Sequence, residues 1–100
     1  MTEFTQNGIK KVVLEEIRKY AKQYDVSKVI LFGSRARGDY KEKSDIDLAV
    51  SGGRIVEFSL AIDEYTSTLL KFDIINLDAS VQEELRQSID KEGIVIYEKV

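Results

Sequence analysis

Apolar side chains recur at Ile9, Val12, Val13, Ile17, Tyr20 and Tyr24, with Lys10, Lys11, Glu15, Glu16 and Arg18 between them. That spacing predicts an amphipathic helix over Gly8–Tyr24, with one face that must cover something. The next stretch, "SKVILFGS", is an apolar, β-branched run of strand length stopped by Gly33, and its apolar character on both faces predicts a central strand. "DIDLAVSGG" predicts a second strand, with Ile46, Leu48 and Val50 on one face, Asp45, Asp47 and Ala49 on the other, and a Gly52-Gly53 turn at its end. Helical spacing returns from Arg54 to Lys71, where Phe58, Ile62, Tyr65 and Leu69 form a stripe. "KFDIINLD" reads as a third strand. Ser80 followed by Glu83 is a capping-box signature opening a helix to about Lys91, with Gly93 as its C-cap. "IVIYEKV" completes the pattern as a fourth strand. Strands separated mostly by helices define an α/β or α+β class.

Composition narrows this picture. One hundred residues suit one domain spanning 1–100, with no linker, repeat or low-complexity segment to divide it. With 43% apolar and 33% charged residues, the chain is expected to fold. Fifteen basic against eighteen acidic side chains give a net charge of −3, which argues against free nucleic acid or an anionic membrane as partner. No apolar run approaches the roughly 18 residues of a membrane span, and the mixed charges of "MTEFTQNGIKKVVLEEIRKY" do not make a signal peptide. The expectation is a cytoplasmic protein. Cysteine and histidine are both lacking, so metal chemistry must rest on carboxylates, which favour hard ions such as Mg²⁺.

Three carboxylates are candidates. Strand alternation sets Asp45 and Asp47 about 7 Å apart and pointing the same way. If they converge to ~4 Å, two like charges cost about 4 kcal/mol at an effective dielectric of 20, which a raised pKa or a divalent cation relieves. Asp73, on the third strand, adds another oxygen donor, and the set suits two-metal phosphoryl or nucleotidyl transfer. The Gly33-Ser34 turn opens the short "SRARG" helix, where backbone amides and the Ser34 hydroxyl would face an anion such as a triphosphate. Arg35 and Arg37 are the nearby cations, and the sequence leaves open which of them turns inward.

Each residue also has an ordinary explanation. An Asp-Ile-Asp strand is commonly a solvated face, a Gly-Ser pair is commonly only a turn, and Asp73 alone can be an edge charge. Lys41, Glu42 and Lys43 read as a solvated loop, Tyr40 as an exposed loop tyrosine or a base-stacking ring, and Asp78 and Ser80 as turn and cap. The conjunction outweighs these: Gly-Ser, ten residues, Asp-apolar-Asp inside an apolar strand, then an aspartate on the next strand.

"LFGSRARGDYKEKSDIDLAV" with the later "FDIINL" resembles the minimal nucleotidyltransferases of the DNA polymerase beta superfamily, over nearly the whole chain. The resemblance implies a nucleotidyltransferase fold, a small mixed sheet of about four strands flanked by helices. It implies transfer of a nucleoside monophosphate, AMP from ATP, to an acceptor hydroxyl with release of pyrophosphate. Gly33 and Ser34, with Arg35 and Arg37, would hold the triphosphate. Asp45 and Asp47 would bind two Mg²⁺ ions, and Asp73 the ion nearest the attacking hydroxyl. It further implies a partner, because minimal proteins of this kind are similar to antitoxins paired with HEPN-domain toxins and modify a toxin tyrosine. A chain this short has no separate acceptor-binding domain, so a partner protein or a second subunit in a homo-oligomer would supply it. The alternative is a non-catalytic binding module that neutralises its partner by occlusion, and a plain structural domain is the third reading.

Overall fold

Val29 and Leu31 point to one side of their strand and Ile30 and Phe32 to the other, and apolar neighbours receive them on both sides. The structure, a computed structural model, describes residues 7–100. Its elements are α1 (Lys11–Gln23), β1 (Lys28–Phe32), α2 (Ser34–Arg37), β2 (Ile46–Ser51), α3 (Ile55–Tyr65), β3 (Phe72–Asn76), α4 (Glu83–Glu92) and β4 (Ile94–Glu98). One four-stranded sheet runs β3-β2-β1-β4. β1 is antiparallel to both β2 and β4, whereas β2 and β3 are parallel, so the sheet is mixed. A parallel neighbour requires a crossover, and α3 provides it.

The alternation in β2 sorts its side chains. Ile46, Leu48 and Val50 are fully buried beneath α1 and α3, together with Val13, Ile17, Phe58 and Ile62. Each such side chain contributes roughly 1.5–3 kcal/mol by leaving water. Ala49 faces the other way, into a smaller cluster with Phe32 and Ile89 of α4. α4 packs on β1. Arg18 ties α1 to β4 by donating from Nε to the Ile96 carbonyl at 2.7 Å.

Several boundaries differ from the sequence expectation. The first helix spans Lys11–Gln23 rather than starting at Gly8. α3 stops at Tyr65 instead of continuing to Lys71, leaving Tyr65 58% and Leu69 103% exposed at the end of the expected stripe. Thr66 and Ser67 explain the stop, since hydroxyl side chains offer the backbone local bonds that compete with a helix. Thr66 Oγ1 donates to the Ile62 carbonyl at 2.6 Å, while the Ser67 amide and hydroxyl both donate to the Glu16 carboxylate. The Ser80–Glu83 capping box does not form. Gln82 takes the N-cap position with no side-chain cap bond, and the preceding turn is held by the Asn76 side chain accepting from the Asp78 amide. Gly93 is the C-cap, but with an extended backbone, φ −65° and ψ 143°, instead of a left-handed one. Its lack of a side chain is required by space, because a Cβ would overlap Ile30 Cγ2 and the Ile89 carbonyl. The reading of Met1–Gln6 as free of a signal segment lies outside the described residues. Among those described, no helix is long and apolar enough to cross a membrane.

Candidate active site

The sheet register sets Gly33, Asp47 and Asp73 beside one another. Phe32 at the end of β1 pairs with Asp47, and Asp47 in turn pairs with Asp73 across the parallel β2–β3 ladder. Asp47 and Asp73 therefore stand side by side on the face shared with Ala49 and Ile75, and Asp45 immediately precedes β2. Gly33 follows Phe32 with φ of 76°, a left-handed conformation that side chains disfavour. A Cβ at this position would overlap Oδ2 of Asp47, so only glycine lets the turn approach the carboxylate. The chain then enters α2. The amides of Ala36 and Arg37 bond the Gly33 carbonyl, whereas those of Ser34 and Arg35, in the first turn, have no carbonyl within the helix to meet.

Asp47 is half-buried, while Asp45 and Asp73 are exposed. Burial raises the Asp47 carboxyl above the ordinary range, and the negative charges of Asp73 and then Asp45 raise it further; Arg37 and Arg35 oppose them. The three acids thus act on one another electrostatically. Among the described residues, however, no group of three acids, histidines or cysteines stands close enough to hold an ion by itself. Asp45, Asp47 and Asp73 therefore do not close into such a group.

The two arginines separate sharply. Arg35, expected to bind phosphate, is 1% exposed and turned into the protein. Its Nε and Nη2 donate to the Ser44 carbonyl at 3.1 and 2.9 Å, Nη2 also to the Glu42 carbonyl at 3.2 Å, and Nη1 to the Asn7 carbonyl at 2.9 Å. Its guanidinium also lies 4.8 Å from the centre of the Tyr40 ring. Asn7 reciprocates by donating from Nδ2 to the Arg35 carbonyl at 2.8 Å. By pinning Ser44, Arg35 fixes the loop that delivers Asp45 to the site. Arg37 is the outward cation, 45% exposed, and it pairs with Asp39 at 3.2 Å and Glu92 at 3.0 Å. Neither the Ser44 anchor nor Glu92 was visible in the sequence, because a carbonyl contact and an ion pair across 55 positions leave no local pattern.

Space is available beside Asp45. A groove of about 480 Å³ is lined by Lys43, Asp45, Leu69, Leu70 and Lys71. A larger one of about 730 Å³ shares Leu69 and Leu70 and extends along Val13, Arg35 and Tyr40. Leu69 stands between them.

A glycine turn thus meets a central acid of a mixed sheet, with a second acid beside it on β3 and a third just before β2. Residues 15–100 match the family model "Polymerase beta, Nucleotidyltransferase", and the chain belongs to that family. It is 39% identical over 82 residues to "Putative protein adenylyltransferase MJ0604" of Methanocaldococcus jannaschii, covering 72% of this chain and 79% of that protein. A second protein of that organism named in the same way, MJ1379, is 31% identical over 98 residues, with 92% and 98% covered. Among solved structures, a toxin-antitoxin crystal structure with AMP-PNP superposes with a TM-score of 0.68 at 22% identity, covering 86% of this chain and 73% of that one. A "putative nucleotidyltransferase from Sulfolobus solfataricus" gives 0.56 at 22% identity, covering 89% and 79%. These structural likenesses bear on the fold.

Proposed function

We propose that this nucleotidyltransferase moves AMP from ATP onto a hydroxyl of a protein partner, as the antitoxin of a toxin–antitoxin pair whose toxin is a HEPN-domain protein. The observation that carries the reading is the seating of Asp47 against Gly33 between Asp45 and Asp73, an electrostatically costly arrangement that a phosphate-bound cation relieves. The names of the Methanocaldococcus proteins and the toxin-antitoxin structures support the choice of reaction and partner.

The donor set suits Mg²⁺, since all the donors are carboxylate oxygens and that ion takes one or two carboxylates while substrate phosphates and water complete its shell. This fits a site in which no three side chains enclose an ion unaided. Asp45 and Asp47 would hold two such ions, with Asp73 at the one nearer the acceptor; when bound, they would neutralise charge on the α-phosphate and leaving pyrophosphate and acidify the attacking hydroxyl. The chain's own residues do the rest. Gly33 and Ser34 hold the triphosphate at the first-turn amides of α2, with Arg37 beside them, while Arg35 keeps the Asp45 loop in place from behind. The acceptor oxygen forms a bond to the α-phosphorus as the bond to pyrophosphate breaks. Asp73, exposed on the edge strand β3, faces the side from which a macromolecular acceptor can come.

Incubating the protein with Mg²⁺ and each labelled nucleoside triphosphate, with and without the product of the neighbouring gene, tests the proposal. Label should move from ATP onto that protein. If an Asp45/Asp47 double Asn variant suppresses the partner as well as the parent does, occlusion replaces catalysis as the explanation.

A further inference from the structure

We infer that Glu92, the last residue of α4, is a positioning residue for the nucleotide's phosphates: it grips one corner of the Arg37 guanidinium and so aims another corner at the triphosphate. The inference rests on the nucleotide reading of the site and adds to it a residue from the opposite end of the chain. α2 is only four residues long and cannot by itself orient the long, flexible side chain that leaves it. Two carboxylates orient it instead. Asp39 accepts from Nε at 3.2 Å, and Glu92 accepts from Nη1 at 3.0 Å. A guanidinium is planar with five donors in a fixed fork, so holding two of its nitrogens fixes the direction of the third. Nη2 is the corner that neither of these two carboxylates holds. Arg37 is also the foremost cation opposing the raised pKa of Asp47, so its charge is felt within the site.

The anchor is itself rigid. Glu92 lies between Ile89, 2% exposed in the smaller core, and Gly93, whose missing Cβ lets α4 close against Ile30 of β1. The Glu92 side chain is 28% exposed, against 64% for Asp39, making it the more enclosed of the two grips. A surface ion pair adds little to stability. Its effect here is the pre-ordering of a binding side chain, which lowers the entropy lost when phosphate arrives.

The test is calorimetric titration with Mg²⁺-ATP of the parent, Glu92→Ala, Glu92→Gln, Arg37→Ala and the Glu92→Ala/Arg37→Ala double variant, each first matched to the parent by circular dichroism. Glu92→Ala should weaken binding about fivefold, the order of cost for re-ordering one long side chain. Glu92→Gln retains an oxygen acceptor and should recover most of it. In the Arg37→Ala background, loss of Glu92 should change nothing further. Unchanged or tighter binding by Glu92→Ala overturns the inference, tighter binding marking Glu92 as a competitor for Arg37; so does an effect that persists without Arg37. A parent that fails to bind Mg²⁺-ATP removes the nucleotide reading itself, and this inference with it, whereas a binding parent with an indifferent Glu92→Ala removes the inference alone.

Discussion

Gly33 and Asp47 occupy one another's space: the carboxylate Oδ2 sits where a side chain on Gly33 would begin. Two constraints thus meet at one position, since φ of 76° is also the conformation that L-residues avoid. Gly33→Ala is expected to lose transfer activity, because the new methyl displaces Asp47 from its place beside Asp73. With ψ of −156°, this positive-φ backbone belongs to a region essentially reserved to glycine, and holding another residue there alone costs about 1–3 kcal/mol. In a chain of this size each such kcal/mol lowers the melting temperature by about 4–8 °C. Thermal melting alongside a transfer assay checks both; a variant that melts with the parent and stays active would separate the turn from the acid.

Asp47 makes a prediction of opposite sign. Its folded-state pKa is raised, so between the ordinary value of about 3.9 and the raised one the native state binds more protons than the unfolded state. Stability contributed by this group is therefore present at low pH and falls as pH rises through that window. Asp47→Asn removes the half-buried charge and its repulsion with Asp73 and Asp45, and should melt higher than the parent at pH 7. The difference should shrink toward pH 3. Calorimetry at pH 3, 5 and 7 reads it, and the same variant should not transfer nucleotide.

Strand identity was legible in the sequence where both faces were apolar, as at Val29–Phe32, or where alternation was strict, as at Ile46–Val50. That Asp47 pairs with Asp73 and abuts Gly33 depends in addition on strand register, which no local pattern in the sequence states. The end of α3 was not legible either, since Leu69 continued a helical stripe while Thr66 and Ser67, which stop the helix, act through bonds to Ile62 and Glu16. Which of Arg35 and Arg37 turns inward stayed open for a comparable reason. An arginine beside a phosphate-type turn is by default exposed, and its burial depends on three carbonyls, from Asn7, Glu42 and Ser44, that only the folded chain assembles.

That burial makes Arg35 a structural residue whose loss would resemble a catalytic defect. Arg35→Lys keeps the charge but has neither the planar fork nor the reach to serve three carbonyls and lie over Tyr40. Hydrogen bonds from a charged donor contribute about 1.5–3 kcal/mol each, and carbonyls left unpaired add to the cost. A loss of about 3 kcal/mol in urea unfolding is expected, together with lower activity because Asp45 is no longer held through Ser44. At temperatures where the variant is folded, its affinity for Mg²⁺-ATP should fall less than that of Arg37→Ala. The reverse order would return Arg35 to the phosphate site.

Gly93 joins α4 to β4 with no room for a side chain, as Ile30 Cγ2 and the Ile89 carbonyl fill the position of a Cβ. Gly93→Ala must shift either the end of α4 or the edge of β1. The Ile89 carbonyl is backbone of the last turn of α4 and cannot clear the methyl by a rotamer change, so that turn is expected to open at the C-terminal end of α4 and carry Glu92 with it. Overpacking of this kind costs about 1–3 kcal/mol. The loss should appear in urea unfolding, and in amide exchange it should be concentrated at Ile89–Val95, leaving β2 and β3 protected as in the parent. Uniform loss of protection across the sheet would show instead that the α4–β1 contact supports the whole core, not just the end of one helix.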